Sequence, residues 1–450
     1  MFEKKGRSGD WQMSLATPVK IRELQIKLYQ KAKKEPEFRF YQLYDKVYRQ
    51  DILEHAYRLA KANDGAAGPD GQTFAGIEER GREEWLNGLR KELHEKTYQA
   101  QPVRRKMIEK HGGGERPLGI PNIRDRVVQT AAKLILEPIW EADLEPNAYG
   151  YRPGRSAQDA VEKVEELLRA GYCDVVDADL SKYFDTIPHS ELMQSVRRRI
   201  VDRQMLHLIK MWLTAPVEEK DEKTGKKRLT GGKGKDRGTP QGGVVSPGLA
   251  NLYMNRLLKG FRQNKRGEEF RARIVNYADD FVILSRGKAK EALQWTQGVT
   301  ERLGVTLNAQ KTSIKDARQE QFDFLGYTFG PQWSPRTGRR YMGFGPSKKS
   351  VGKIVEKVNE LLESGVVKPW EEVRNRLNAK LKGWKSYFNR GNHNSKAYRA
   401  VDAHVDQRVR HFLRRRHKVS SQGTHQFSSK RVYGDLGVYR LRSSSGCATT

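Results

Sequence analysis

The sequence contains only two cysteines, Cys173 and Cys447, in 450 residues. Two cysteines can form neither a disulfide framework nor a cysteine-based zinc site, and such low usage is typical of a reducing compartment. No run of about 18 apolar residues occurs, which excludes a membrane-spanning helix. The N-terminus is rich in charge and lacks the apolar core of a signal peptide. We therefore expect a protein of the cell interior, with a cytoplasmic location and no membrane partner.

Acidic residues are also scarce relative to basic ones. The chain has 85 Lys and Arg against 55 Asp and Glu, which gives a formal net charge of +30. A surplus of this size favours a polyanionic partner, because each phosphate neutralised by Lys or Arg releases counterions. A basic protein without a nucleic-acid partner could have the same net charge, but here the basic residues cluster.

Two of the acidic residues stand together between apolar runs. Residues 274–277 and 281–284 are rich in β-branched and aromatic side chains, and Asp279 and Asp280 lie between them. This pattern predicts a β-hairpin with both carboxylates at its tip. Considered alone, the stretch is more typical of a solvated surface turn, because aspartate is common in turns. Neighbouring carboxylates repel each other, however, unless a cation binds between them.

A second predicted strand, residues 173–179, ends at another aspartate, Asp179. Joining a 3′-hydroxyl group to a nucleotide α-phosphate uses two divalent ions about 4 Å apart. Oxygen ligands suit Mg²⁺, so Asp179, Asp279 and Asp280 form a chemically sufficient set. Asp177 and Asp185 lie close by in sequence, and spacing alone does not dismiss them.

Basic residues concentrate in two further regions. Residues 103–110 and 116–121 flank a glycine-rich stretch, which predicts a basic β-hairpin that brings Lys110 and Arg116 together, where they could clamp a triphosphate. A solvated basic hairpin is the alternative. After residues 331–346, whose Gly, Pro and Arg content predicts a linker, three amphipathic helices are expected within 347–418. Their polar faces are basic, which suits a nucleic-acid backbone.

Six short blocks identify a family when they are taken in order. The chain resembles the group II intron-encoded reverse transcriptases, also called maturases, from about Gly65 to Leu441. The blocks are Arg116–Pro121 (RPLGIP), Asp179–Asp185 (DLSKYFD), Gly238–Ser246 (GTPQGGVVS), Tyr277–Asp280 (YADD), Leu307–Thr312 (LNAQKT) and Phe324–Tyr327 (FLGY).

The resemblance implies an α+β right-hand polymerase: fingers, a palm with an antiparallel sheet, and an α-helical thumb. On this basis we expect a mostly helical N-terminal extension over 1–98 with a template-gripping loop at 63–71. Fingers and palm follow over 99–330. A linker spans 331–346, and a three-helix thumb, called domain X, spans 347–418. The basic tail 419–450 resembles a short remnant of the family's DNA-binding region.

The resemblance also implies roles for individual residues. Asp179, Asp279 and Asp280 would be catalytic and would bind two Mg²⁺ ions, or Mn²⁺ in their place, with help from the Leu180 carbonyl group.

The expected nucleotide contacts are Lys110 and Arg116 at the triphosphate, Gln241 in the pocket, and Lys311 near the nucleotide or nearby acidic residues. Phe184 would be a steric gate, because a ring beneath the sugar leaves no room for a 2′-hydroxyl group. The expected nucleic-acid contacts are Gly65, Gly68, Arg104, Arg105, Lys382, Trp384, Lys385, Arg414, Arg415 and Arg416.

We therefore expect an RNA-directed DNA polymerase that uses an RNA template, a DNA primer and dNTPs. It should also bind intron RNA to assist splicing and retromobility, within a ribonucleoprotein in the bacterial cell. The chain lacks the cysteines of the family's endonuclease, so we do not expect it to nick target DNA. The alternatives are a relative recruited to host defence or spacer acquisition, a non-catalytic RNA-binding splicing factor, and an RNA-dependent RNA polymerase. The block order and Phe184 argue against the last. Whether the protein is a monomer or a dimer stays open.

Overall fold

A computed structural model describes residues 16–109, 115–220, 224, 226–232, 234–334, 337–364, 368–420 and 422–442. Helices and strands alternate irregularly along the chain, which confirms the α+β class predicted from sequence. The helices are α1 (Val19–Lys34), α2 (Tyr44–Val47), α3 (Gln50–Ala62), α4 (Phe74–His94), α5 (Ile123–Asp143), α6 (Ala157–Arg169), α7 (Tyr183–Thr186), α8 (His189–Arg197), α9 (Arg203–Leu213), α10 (Ser246–Gln263), α11 (Arg266–Glu269), α12 (Ala289–Arg302), α13 (Lys348–Ser364), α14 (Trp370–Tyr387), α15 (Ser395–Arg416) and α16 (Ser429–Tyr433).

The strands are β1 (Val103–Glu109), β2 (Glu115–Ile120), β3 (Asp174–Asp179), β4 (Val217–Lys220), β5 (Lys227–Thr230), β6 (Ala272–Tyr277), β7 (Asp280–Ser285), β8 (Ser313–Asp316), β9 (Phe322–Phe324), β10 (Tyr327–Trp333) and β11 (Arg340–Pro346). They form sheets with the strand orders β2-β1-β4-β5, β6-β7-β3-β8 and β11-β10-β9. The predicted basic hairpin is confirmed, since β1 and β2 pair antiparallel from Arg104–Ile120 to Glu109–Glu115. None of the described helices is long and apolar enough to cross a membrane.

The described residues form two compact units. The first takes in the chain up to 156 together with 178–281 and 290–313, and the second takes in 157–177, 282–289 and the chain from 314 onward. Helix α5 is the central helix of the first unit, where α1 and α3 pack against it. Most of its residues are buried, because apolar side chains occupy nearly every face.

The second unit contains the predicted three-helix bundle, formed by α13, α14 and α15, and a further segment packs into its core. Phe427, Val432, Val438 and Leu441 are buried in one cluster with the helix side chains. We predicted residues 419–450 to be a basic tail remnant. The described part of that tail instead completes the hydrophobic core of the bundle.

Residues 331–346, predicted to be a linker, are mostly β-structure. Strands β10 and β11 pair antiparallel from Tyr327–Pro346 to Trp333–Arg340, and β9 pairs with the other edge of β10. The rings of Phe329 and Phe344 stack with centroids 5.2 Å apart. The prediction was wrong here because the glycines of this hairpin allow close approach of neighbouring chain rather than marking irregular chain.

Candidate active site

The acidic turn connects β6 to β7 through Ala278 and Asp279. Ala278 has a φ of 59°, the left-handed conformation that turns of this kind require. The side-chain amide of Asn276 donates to the carbonyl oxygens of Ala278 (2.9 Å) and Asp280 (3.4 Å). A Cβ atom on Gly150 would lie 2.4 Å from the Ala278 nitrogen, so only glycine fits against this turn. The turn therefore has one defined conformation, with Asp279 half-buried and Asp280 exposed.

Asp179 ends β3, the strand next to β7, and the segment around Asn308 surrounds it. The Asn308 amide donates to Asp179 Oδ2 at 3.2 Å, and Lys311 Nζ lies 3.2 Å from the same oxygen. The Asn308 backbone N–H donates to the Asp179 carbonyl oxygen at 2.7 Å. The position of this carboxylate is therefore fixed from both the backbone and the side chain.

The predicted metal ligands offer oxygen atoms only: the carboxylates of Asp179, Asp279 and Asp280, and the Leu180 carbonyl group. This chemistry fits a hard cation such as Mg²⁺. Within the described ranges, no three His, Cys, Asp or Glu side chains lie close enough together to form a preassembled metal site.

The predicted steric gate, Phe184, lies in α7, the short helix that follows Asp179 and β3 in the chain. Phe184 is 6 % exposed, and its ring lies edge-on to Tyr151 with centroids 6.5 Å apart. The Tyr183 hydroxyl group donates to the Ala250 carbonyl oxygen at 2.8 Å. Burial raises the pKa of Tyr183 well above its ordinary value, and the nearby Tyr253 and Asp279 raise it further. The Phe184 ring thus lies in the first unit, which also contains the acidic turn.

Gln241 belongs to a loop that contacts both α7 and the basic hairpin. Its side-chain amide donates to Asp185 Oδ2 at 3.1 Å, and its carbonyl oxygen accepts a 2.6 Å hydrogen bond from the Gly119 N–H in β2. Gln129 Oε1 in α5 accepts from the Val244 N–H at 2.8 Å and holds the end of the loop. Asp185, one of the two competing carboxylates in the sequence, is therefore the partner of Gln241.

The other predicted nucleotide contacts are described only in part. Arg116 pairs through its backbone with Ile108 in the β1–β2 hairpin. The Arg116 side chain and the whole of Lys110 lie outside the described residues. Of the predicted nucleic-acid contacts on this hairpin, Arg105 forms a 2.5 Å ion pair with Glu219 of β4, and Arg104 is half-buried.

The two glycines of the predicted template loop have a packing role. A Cβ atom on Gly68 would lie 2.1 Å from Asn122 Oδ1, and one on Gly65 would lie 2.7 Å from the Arg126 guanidinium group. Arg126 Nη1 donates to the Gly65 carbonyl oxygen at 3.0 Å. Gly68 is needed so that the loop can lie against the start of α5, because a Cβ atom there would also lie 2.7 Å from the Asn122 Cα atom, whereas the flexible Arg126 side chain beside Gly65 can move. Contact of either glycine with a template stays a prediction.

The predicted contacts in the helical bundle differ in their surroundings. Trp384 donates from Nε1 to the Ser350 carbonyl oxygen at 3.3 Å, so its indole group is engaged within the bundle. Arg416 donates to the Lys368 carbonyl oxygen at 2.5 Å, whereas Arg414 is half-buried and Arg415 is exposed. Lys382 and Lys385 both lie over the ring of Tyr439.

Sequence reasoning missed the residues that brace the site. Asn276 is buried in a strand, where asparagine is uncommon, and that mismatch was a usable signal. Asn308 lies in the block Leu307–Thr312, in which only Lys311 was assigned a role. The partnership of Asp185 with Gln241 spans 56 positions, and no local pattern signals such a contact.

Comparison with known proteins finds two family models that match successive parts of the chain. The family model described as reverse transcriptase (RNA-dependent DNA polymerase) matches residues 108–329, and the group II intron maturase-specific domain matches residues 351–432. Protein YkfC of Escherichia coli (strain K12) is 36% identical over 68% of this chain and 87% of its own length. The group II intron-encoded protein LtrA of Lactococcus lactis subsp. cremoris is 30% identical over 64% of this chain.

The chain spans 56% of the L. lactis protein. A solved telomerase structure from Candida albicans has a TM-score of 0.42 at 13% identity, covering 82% of this chain and 72% of that one. The two domain models match the chain one after the other, in the order of the sequence blocks, and the E. coli relative covers most of its own length. This chain therefore belongs to the group II intron-encoded reverse transcriptase family, the RNA-directed DNA polymerases that carry a maturase domain.

Proposed function

We propose that this protein copies RNA into DNA with Asp179, Asp279 and Asp280 as the ligands of its divalent ions. The observation that carries the proposal is the position of these carboxylates. Asp179 ends β3, and Asp280 begins β7, the neighbouring strand of the same sheet. Lys311, which carries the only side-chain ammonium group paired with Asp179 in the described part of the chain, marks this carboxylate as a place where positive charge is favoured.

Two Mg²⁺ ions, or Mn²⁺ in their place, would supply activation of the primer 3′-hydroxyl group and charge neutralisation of the triphosphate. The protein's residues would do the positioning. Asn308 holds the Asp179 carboxylate, and the Asn276 amide holds the turn of Asp279 and Asp280.

The nucleotide would lie between α7 and the loop of Gln241. Phe184 would exclude a ribose 2′-hydroxyl group, which makes dNTPs the preferred substrates. Gln241, oriented by Asp185, would line the pocket. Lys311 and the basic residues of the β1–β2 hairpin, Lys110 and Arg116, would contact the phosphates, because cationic side chains form short, strong hydrogen bonds to phosphate oxygens.

We also propose that the maturase domain binds intron RNA, so that the protein assists splicing and mobility as part of a ribonucleoprotein in the cytoplasm. The matched maturase domain and the net charge of +30 support an RNA partner. A purely non-catalytic splicing factor is disfavoured, since such a protein would not need Asn308 and Asn276 to hold carboxylates in place.

Primer extension tests the polymerase assignment. Purified protein with an RNA template, a DNA primer, dNTPs and Mg²⁺ should extend the primer, and Asp279→Ala should abolish extension. Asp177→Asn is the matched control, since Asp177 lies two residues before Asp179 and pairs with Lys315 at 3.6 Å. Extension by Asp279→Ala, or equal loss in both variants, would contradict the ligand assignment.

A further inference from the structure

The C-terminal segment, residues 427–442, packs along α14 through one asparagine. Asn378 Nδ2 donates to the Gly437 carbonyl oxygen at 2.8 Å, and Asn378 Oδ1 accepts from the Tyr439 N–H at 2.7 Å. An amide that bonds the backbone on both sides of one residue imitates the pairing of a β-strand. It therefore fixes the register of the C-terminal segment on the helix.

A buried carboxylate in α15 holds the end of the segment. Asp402 is 2 % exposed, and its carboxylate oxygens accept from the Leu441 N–H at 2.8 Å and the Arg442 N–H at 3.2 Å. The Tyr433 hydroxyl group donates to the Asp402 carbonyl oxygen at 2.5 Å. A carboxylate this deeply buried is stable only because these donors satisfy it. The segment is therefore a fixed part of the bundle surface.

This arrangement places one aromatic ring beneath two ammonium groups. Lys382 Nζ lies 5.5 Å and Lys385 Nζ 5.4 Å from the centroid of the Tyr439 ring. Arg440 follows directly and lies over Tyr433, 5.2 Å from its centroid. We call Lys382, Lys385, Tyr439 and Arg440 the Tyr439 surface.

The cations of the Tyr439 surface lack the carboxylate partners that some other cations of the bundle have. Arg410 pairs with Asp406 at 2.5 Å, and Arg408 pairs with Glu363 at 3.0 Å. Across 337–364, 368–420 and 422–442, by contrast, no carboxylate lies within ion-pair distance of Lys382, Lys385 or Arg440. Like charges three positions apart on a helix repel each other unless an anion lies between them.

We propose that the Tyr439 surface binds the phosphate backbone of RNA, so that the C-terminal segment is a working part of the RNA-binding face. The proposal deepens the proposed function and rests on it for the choice of RNA as partner. Unpaired cations close to one another over an aromatic ring suit a chain of phosphates and bases, since phosphates neutralise the cations and a base can stack beside the ring. An acidic protein would supply the charge but no base to stack.

Anisotropy of a fluorescein-labelled RNA hairpin, measured without dNTPs, tests this surface. For Lys382→Ala/Lys385→Ala we expect RNA binding to weaken about tenfold, and the slope of log Kd against log salt to fall by roughly two. Tyr439→Leu, which keeps the side chain apolar, should weaken binding about threefold through the lost ring. Lys353→Ala/Lys357→Ala, the matched control, removes the same charge from exposed positions of α13 and should retain wild-type affinity.

Each variant should unfold at the wild-type temperature in a thermal melt, which would show that it is folded. An equal loss of affinity in the α13 control would mean that only net charge matters, which would overturn the proposal. Wild-type affinity and salt dependence in Lys382→Ala/Lys385→Ala would overturn it as well, as would a labelled duplex DNA or acidic peptide bound in preference to the RNA. Because dNTPs are absent, failure of primer extension would contradict the proposed function and leave this binding result unaffected.

Discussion

Lys311 Nζ lies 3.2 Å from Asp179 Oδ2, the carboxylate at the end of β3. The lysine side chain is 67% exposed and the aspartate side chain 32%. An ion pair this accessible to water contributes at most about 1 kcal/mol to stability. The pair therefore matters for charge rather than for stability. The Lys311 ammonium group pairs with the carboxylate oxygen that we propose as a metal ligand.

Lys311→Ala should make divalent ions bind more tightly to the protein in the absence of nucleotide. The ammonium group competes with the ion for Asp179, and its removal leaves the carboxylate available. We expect a roughly threefold lower Kd for Mn²⁺ by paramagnetic titration, with little change in unfolding temperature. Lys315→Ala, which breaks the pair with Asp177, should leave Mn²⁺ affinity unchanged. Weaker Mn²⁺ binding in Lys311→Ala would show that the lysine assists the site rather than competing with it.

Phe184→Val should admit ribonucleotides. The ring is buried against Tyr151, and its loss opens space beneath the sugar. We expect the ratio of kcat/KM for dNTP over NTP to fall at least tenfold, or by about 1.4 kcal/mol. Tyr183→Phe is the control from the same helix, since it removes only the hydrogen bond to Ala250 and should keep the discrimination. Unchanged discrimination in Phe184→Val would refute the gate.

The acidic hairpin could be predicted from sequence because its signal is local. Apolar runs on both sides of Asp279 have strand character, and a two-residue connection between them gives a hairpin. The contact of Asp179 with Asn308 could not be read in this way, since the two are separated by 129 positions and meet only through the fold.

The C-terminal segment was missed for a different reason. Its buried residues, Phe427, Val432, Val438 and Leu441, are spaced by five, six and three positions, which fits neither helical nor strand periodicity. Their burial depends on polar anchors, Asn378 and Asp402, that lie in other elements. In β11, Gly345 was interpreted as linker sequence, but a Cβ atom there would lie 2.7 Å from the His393 carbonyl oxygen. The glycine is required by close packing.

The stability of the first unit should depend on pH through Asp125. Its carboxylate accepts from the Tyr98 hydroxyl group at 2.5 Å and from the Gln101 N–H at 3.1 Å. Burial nevertheless raises the pKa of Asp125 to about 6. The folded protein therefore binds a proton that the unfolded chain releases between pH of about 4 and 6. The resulting stabilisation is complete below pH of about 4 and is lost as the pH rises through 6.

Asp125→Asn removes this titration. The unfolding free energy of wild type relative to the variant should fall by about 3 kcal/mol between pH 4 and pH 7, measured by urea unfolding at each pH. Comparison with the variant cancels the carboxylates that both proteins share. Tyr98→Phe should move the transition to higher pH, because the tyrosine hydroxyl group favours the ionised carboxylate. A difference that is independent of pH would contradict the raised pKa.

Asp402 should determine whether the C-terminal segment stays attached to the helical bundle. Asp402→Ala would leave the buried Leu441 N–H and the Arg442 guanidinium group without their acceptor, at a cost of about 3 kcal/mol or more. That cost falls on contacts made by the segment, so the segment should detach before the rest of the bundle unfolds. Hydrogen exchange should therefore become much faster at Val438–Arg442 than in α13.

Asp406→Ala is the control. Asp406 also accepts from an arginine, Arg410, but its carboxylate is not bonded to the backbone of residues 438–442. It should leave exchange in that stretch slow. Equal acceleration throughout α13, α14 and α15 in Asp402→Ala would instead show that the segment and the bundle unfold as one cooperative unit.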